Sequence, residues 1–276
     1  MLPLLNKYDN LLIRESGCGN IVGVKKAIDN NANINAVDDE GNTALINVTM
    51  LGRDEPINEN EDYIEVIKLL LLNNADINKQ NNDKYTAMTY ACMYNNPKMV
   101  KLLLENLSNQ NNDIKTGMVF ACYYGNLKII TILMKSNIID VNTAMYEVNE
   151  EGFPICHDDF LDWASNVPLL TIACLKAHID IIEFLLNQPN IDVNIRDTFN
   201  KTPLMLASEK GYTAVVRLLL THPNIDIYKP NERESYHIAP IWTFNPNFPT
   251  APTALTYAWD KDNNKIIEEL LYHKTI

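Results

Sequence analysis

The sequence predicts an all-α repeat solenoid, and three observations carry that expectation. Six segments align on one another: TALINVTMLG from Thr43, TAMTYACMYN from Thr86, TGMVFACYYG from Thr116, PLLTIACLKA from Pro168, TPLMLASEKG from Thr202 and TALTYAWDKD from Thr253. Each is followed by a second apolar stretch: YIEVIKLLLL, PKMVKLLLE, LKIITILMK, IDIIEFLLN, TAVVRLLLT and NKIIEELLY. Between the two stretches stands Gly52, Asn95, Gly125, Ala177, Gly211 or Asp262, and Gly and Asn are the residues that end a helix in a left-handed conformation.

A weaker copy starts at Asn10, with NLLIRESGCG, Gly19 and then VGVKKAIDN, so about seven units are expected in one domain spanning residues 1–276. They start near 10, 43, 86, 116, 168, 202 and 253, and three insertions, 53–62, 144–167 and 230–252, lengthen the spacing.

Each element has a reason. The first stretch places Ala91, Ala121, Ala173, Ala207 or Ala258 three positions after an apolar residue, so that helix can approach its neighbours closely. The second stretch is a short apolar helix suited to a buried layer. After it comes NANIN, NADIN, IDVN, IDVN or IDIY, compact and partly β-branched, which suits a tight turn into the next unit. Ala177 fits the helix-ending position least well, because a β-carbon disfavours the left-handed region.

This cycle resembles the ankyrin repeat, a β-turn plus two antiparallel helices, and NKTPLMLASEKGYTAVVRLLLTHPNIDI at 200–227 carries the resemblance best. The histidine that follows the TPL triplet in that family is missing; Ile46, Thr89, Val119, Thr171, Met205 or Thr256 stands there. Thr hydroxyls are expected to replace part of its hydrogen bonding between neighbouring turns, with weaker coupling as the result. The resemblance implies that the insertions at 144–167 and 230–252 emerge where hairpin fingers project beside the inner helices. It also implies a concave groove, onto which Met50, Leu51, Tyr85, Met93, Tyr94, Tyr123, Tyr124, Leu175 and Lys176 are carried position by position, followed by Glu209 and Lys210. Large apolar patches of this kind mark interaction sites, and Tyr suits interfaces. The competing expectation is a self-covered groove, with Phe160 and Trp163 of the second insertion resting on it.

Composition narrows the function classes. A net charge of -12 repels nucleic acid and anionic lipid and favours a protein partner with a basic surface. No apolar run reaches the roughly 18 residues a membrane helix needs, and no signal peptide is read in MLPLLNKYDNLLI. Five cysteines without a CxxC pair point to a reducing, intracellular, cytoplasmic setting. Asn- and Ile-rich composition suits a protozoan, a host-associated bacterium or a large DNA virus, and leaves open an effector acting inside a host cell. Polar residues at both ends, Arg14, Glu15, Lys25 and Lys26, then Glu268, Glu269, His273 and Lys274, are those of terminal repeats; a complete, monomeric array without a catalytic domain is expected.

Four features carry side chains used in chemistry or recognition. Cys92, Cys122 and Cys174 recur in one slot of successive repeats, which packing explains better than a metal ladder lacking histidines. ICHDDF at 155–160 brings Cys156 and His157 together, yet sequence neighbours point apart, whereas a catalytic dyad draws its members from distant segments. The plainer reading makes Asp158 or Asp159 the cap of a short helix FLDWASN whose Phe160, Trp163 and Ala164 share a face. Trp242, Phe244 and Phe248 in the proline-rich third insertion either contact a partner or pin the loop. Asn35, Asn78, Asn142 and Asn194 are expected to bond within their own turns; comparable asparagines in the family are sometimes hydroxylated.

The expected function is therefore a non-enzymatic scaffold or adaptor, with no cofactor and no metal, binding through the groove, Trp163 and Trp242. The alternatives are an enzyme or metal site around Cys156 and His157, and a structural or regulatory subunit with a covered groove.

Overall fold

The computed structural model describes residues 6–50, 61–107, 111–136, 139–142, 144–145, 167–197, 199–232 and 251–273. Leu51, Gly52, residues 53–60, Cys156, His157, Phe160, Trp163 and Trp242 lie outside them. Two compact units divide the chain, Met1–Ile139 and Asp140–Ile276.

The first unit holds α1 (Lys7–Gly17), α2 (Ile21–Asp29), α3 (Ala44–Met50), α4 (Glu61–Leu72), α5 (Ala87–Met93), α6 (Pro97–Asn106), α7 (Asn111–Tyr123) and α8 (Leu127–Lys135). Odd-numbered helices pack on one another in sequence as an inner layer, even-numbered ones as an outer layer, and each inner helix packs on the outer helix that follows it. The second unit holds β1 (Ala144–Met145), β2 (Val167–Pro168), α9 (Leu169–Lys176), α10 (Ile179–Leu186), α11 (Pro203–Lys210), α12 (Thr213–Leu220), α13 (Ala254–Asp260) and α14 (Asn264–Tyr272), with α9, α11 and α13 layered against α10, α12 and α14. β1 and β2 pair antiparallel, Ala144 opposite Pro168 and Met145 opposite Val167, which closes the stem on either side of 146–166.

The outer helices from α4 onward bury one repeating triplet, at positions i, i+1 and i+4: Val66, Ile67 and Leu70; Met99, Val100 and Leu103; Ile129, Ile130 and Leu133; Ile181, Ile182 and Leu185; Val215, Val216 and Leu219; Ile266, Ile267 and Leu270. Each such side chain contributes about 1.5–3 kcal/mol of burial free energy. Inner helices are buried almost all round, as along Ala87–Cys92, Leu169–Cys174 and Pro203–Ser208, which is why their sequences show continuous apolar runs rather than a stripe. Ala91, Ala121, Ala173, Ala207 and Ala258 are fully buried at the inner-layer contacts.

The helix-ending residues adopt the left-handed conformation at Gly19, Asn95, Gly125, Ala177, Gly211 and Asp262. Ala177 does so at φ 55° despite its β-carbon, a conformation that carries strain for a residue other than glycine.

Two expected boundaries move. Thr116, expected to start the fourth unit, lies inside α7, which starts at Asn111; Ile114 and Met118, four residues apart, are both buried and draw the extra turn into the helix. Glu61 and Asp62, expected in the first insertion, form the first turn of α4, where acidic side chains favour the positive end of the helix.

The asparagines of the turns bond between units rather than within them. In NAN-IN and its counterparts the first polar residue closes its own turn, as Asp192 Oδ1 accepts from Asn194 N–H at 2.9 Å. The second reaches the following turn: Asn194 Nδ2 donates to Asn224 O at 2.7 Å and Asn194 Oδ1 accepts from Asp226 N–H at 2.8 Å. Asn142 does the same with Asn190 and Asp192, and Asn35 with Asn74 and Asp76. The two-faced primary amide suits this bridge, since it offers a donor and an acceptor side by side. Asn78 is the exception, its Oδ1 buried with no hydrogen-bond partner among the described residues.

Candidate functional site

The inner layer of the first unit gathers six aromatic rings. Tyr90 and Tyr94 are one turn apart at the end of α5, and Phe120 and Tyr124 hold the same places on α7. Each pair stacks nearly parallel, Tyr90 on Tyr94 with centroids 6.0 Å apart and Phe120 on Tyr124 at 6.3 Å. Tyr85 stands edge-on to both lower rings, 5.8 Å from Tyr90 and 5.2 Å from Phe120, and Tyr123 meets Tyr124 edge-on at 5.0 Å. These are the arrangements that aromatic quadrupoles favour, and they hold the outer rings without flexible stems.

Asn81 sets the lower layer. Its Nδ2 donates to Tyr90 OH and to Asn42 Oδ1, each at 2.9 Å, while its Oδ1 accepts from Asp83 N–H at 3.1 Å and Tyr85 N–H at 2.9 Å. All four hydrogen-bonding positions of the amide are used. Asn42 Nδ2 in turn donates to Glu40 Oε2 at 3.0 Å, which ties an exposed carboxylate to the buried phenol through two amides. Burial pushes the Tyr90 phenol above its ordinary pKa, against the hydrogen bond from Asn81; Asp83, Tyr94 and Glu40 add to the rise.

Of the residues expected on the groove, Tyr124 is 48% exposed, and Met50, Met93, Tyr94 and Tyr123 are half-buried. Tyr85 corrects the expectation: at 5% exposure it lies beneath the face and supports it, because its ring fills the gap between Tyr90 and Phe120. Leu175 and Lys176, half-buried at the end of α9, belong to the second unit. The structure thus brings Tyr85, Met93, Tyr94, Tyr123 and Tyr124 together on α5, α7 and the finger before α5.

Asn81, Tyr90 and Phe120 were not among the expected site residues. One signal in the sequence points to them: Tyr recurs four positions after the repeat Thr at Tyr90 and Tyr257, each with an asparagine in the finger before it. In the second unit Asn231, fully buried though expected in an insertion, donates from Nδ2 to Tyr257 OH at 3.0 Å and to Phe199 O at 3.1 Å; its backbone N–H donates to Pro252 O at 2.7 Å. There the place of Tyr85 is taken by Lys201, whose ammonium lies 4.7 Å over the Tyr257 ring and 3.1 Å from Glu209.

Threonine hydroxyls do not link neighbouring turns as expected. Thr89 and Thr256 each accept from the N–H of their own cap residue, Thr86 and Thr253, at 3.4 and 3.2 Å. Coupling between units falls to asparagines instead: besides the turn bridges, Asn126 Nδ2 donates to Cys92 O at 2.9 Å and Met93 O at 3.2 Å, and Asn263 Nδ2 to Ser208 O at 2.7 Å. These bonds give carbonyls in the last turns of α5 and α11 a donor from the following repeat.

The recurring cysteine slot is a packing slot. Cys92, Cys122 and Cys174 are fully buried, as are Ser16 and Ser208, which hold equivalent places. Burial drives the Cys92 thiol far above its ordinary pKa, away from the thiolate that nucleophilic or metal chemistry needs. Among the described residues no three His, Cys, Asp or Glu side chains gather as a metal site, and no helix is long and apolar enough to cross a membrane.

Paired helices in two layers, joined by bridged turns and bearing an aromatic inner face, define a helical repeat protein. A family model for ankyrin repeats, three copies long, matches residues 57–145 and 155–231, and the chain belongs to the ankyrin-repeat family. No curated protein matches it. Among solved structures it is similar to the crystal structure of the human ASB11 ankyrin repeat domain, with 18% identity, a TM-score of 0.67, and coverage of 93% of this chain and 96% of that one. Ankyrin repeats are protein–protein interaction modules, and that coarse role comes with the family.

Proposed function

We propose that this chain is a non-enzymatic scaffold of about seven repeats, interrupted by three insertions, that holds a protein partner on its inner face. The observation that carries this reading is the aromatic cluster. Tyr124 is half exposed, Tyr94, Tyr123 and Met93 flank it, and Tyr85, Tyr90 and Phe120 brace them from below. Rigid aromatic side chains lose little entropy on binding and are the commonest anchors of interfaces. The buried cysteines, Cys92, Cys122 and Cys174, and the exposed thiol of Cys18 suit a reducing intracellular compartment.

The test compares capture of partners by the native chain and by Tyr94→Ala/Tyr124→Ala, with circular dichroism to check that both fold. Loss of partners from the variant is expected. Equal recovery by both would remove the inner face as the interface.

A further inference from the structure

Resting on the interaction reading above, the surroundings of the aromatic cluster identify the chemistry of its partner. Two fingers border it, residues 36–43 before α3 and 76–86 before α5. The first carries Asp38, Asp39 and Glu40 and no base. Asp38 turns inward, accepting from Glu40 N–H, Asn42 N–H and Asn47 Nδ2 at 3.0, 2.8 and 3.1 Å, which leaves Asp39 and Glu40 exposed at the tip. The fingers are joined: Asn82 N–H donates to Glu40 O at 3.0 Å and Asn82 Nδ2 to Asp39 O at 3.1 Å. Gly41, left-handed at φ 79°, makes this possible, since a β-carbon there would stand 2.8 Å from Asn82 N.

The Glu40 carboxylate is therefore linked to the rings through the Glu40–Asn42–Asn81–Tyr90 chain of hydrogen bonds, with Tyr94 stacked on Tyr90, and Asp39 stands exposed beside it. The second finger adds Asp83, beside Lys84 and with Lys79 further back. A negative finger tip joined to an aromatic cluster is complementary to a cation, which is attracted both by charge and by the ring quadrupoles. The net charge of -12 extends the same preference to the approach of the partner.

We infer that this face takes a partner segment presenting an arginine or lysine side chain, its cationic head on the Tyr94 and Tyr124 rings and its charge answered by Asp39 and Glu40.

The experiment uses the full chain and a fluorescein-labelled octa-arginine peptide, read by anisotropy at physiological salt, with octa-lysine and octa-glutamate alongside. Octa-arginine is expected to bind best and octa-glutamate not at all. Tyr124→Leu, Tyr94→Leu/Tyr124→Leu and Asp39→Asn/Glu40→Gln should each weaken octa-arginine binding by about fivefold or more. Asp180→Asn/Glu183→Gln on α10, which removes the same charge elsewhere, should change it by less than about twofold. Equal weakening by the two acid pairs would reduce the effect to net charge and overturn the inference, as would undiminished binding by the tyrosine variants. If tyrosine variants lose cellular partners yet keep octa-arginine, the cationic partner falls and the interaction face stands; if they keep both, both readings fall.

Discussion

Gly117 of α7 lies against Cys92 of α5: a β-carbon on Gly117 would stand 2.8 Å from the Cys92 sulfur and 3.3 Å from its Cβ. The other inner helices carry Leu11, Ala44, Ala87, Leu169, Pro203 or Ala254 at this place, so the glycine is specific to this junction. In an exposed helix Gly→Ala stabilises by about 1 kcal/mol. Here Gly117→Ala is expected to cost about 1–3 kcal/mol through overpacking. Urea denaturation should show the midpoint falling, and Cys92→Ala in the same chain should recover part of the loss. A Gly117→Ala midpoint at or above the native one would contradict the close approach.

Two threonines in equivalent positions should respond with opposite sign. The Thr89 hydroxyl closes the cap with Thr86, whereas the Thr171 hydroxyl is buried with no partner among the described residues, because the cap residue there is Pro168 with no N–H and no hydroxyl. Thr89→Val removes a satisfied buried hydroxyl and should destabilise by about 1 kcal/mol; Thr171→Val removes an orphan one and should stabilise by about as much. Thermal melts of the two variants settle the comparison, and a shared sign would count against it.

Ala177 supports a left-handed helix end at φ 55° where Gly211 does the same at φ 76° without a β-carbon. Ala177→Gly should therefore raise stability by about 0.5–1 kcal/mol, the conformational relief exceeding the entropy that glycine adds to the unfolded chain. The same substitution at Ala173, in the middle of α9, should lower it. Urea midpoints of the two variants provide the check.

Asp197 and Asn81 perform one task with different chemistry. Asp197 Oδ1 accepts from Phe199 N–H at 2.9 Å and Lys201 N–H at 2.8 Å, as Asn81 Oδ1 does from Asp83 and Tyr85. Burial raises the Asp197 carboxyl above its ordinary pKa, against those two N–H donors and Lys201, and Glu209 adds to the rise. The folded state then binds its proton more tightly than the unfolded state, so this group costs stability as pH rises through its folded pKa and the cost disappears below its unfolded one. Asp197→Asn keeps the acceptor and removes the charge. It should be more stable than the native chain at pH 7, with the difference shrinking as pH falls through the carboxylate range; a gain that grows on acidification would refute the assignment.

Some of the architecture was legible from residue order because its causes are local. The i, i+1, i+4 triplets of the outer helices need only the helical period to be seen, and the left-handed helix ends need only Gly or Asn in place. The start of α7 was not legible, since Ile114 joins that helix only because a buried face exists for it to meet. Repeat register alone puts Tyr85 on the surface, yet its depth depends on Tyr90 and Phe120, which come from two different repeats.

By itself the sequence determined the repeat, the alternation of small and large residues in its inner helices, and the acidic, tyrosine-rich character of the chain, all of which are carried by identity and spacing. Only the tertiary structure decided which asparagines couple the units. Asn81, Asn126, Asn194 and Asn231 look alike in a chain rich in asparagine, and an amide acquires its role from the particular donor and acceptor that packing brings within about 3 Å of it.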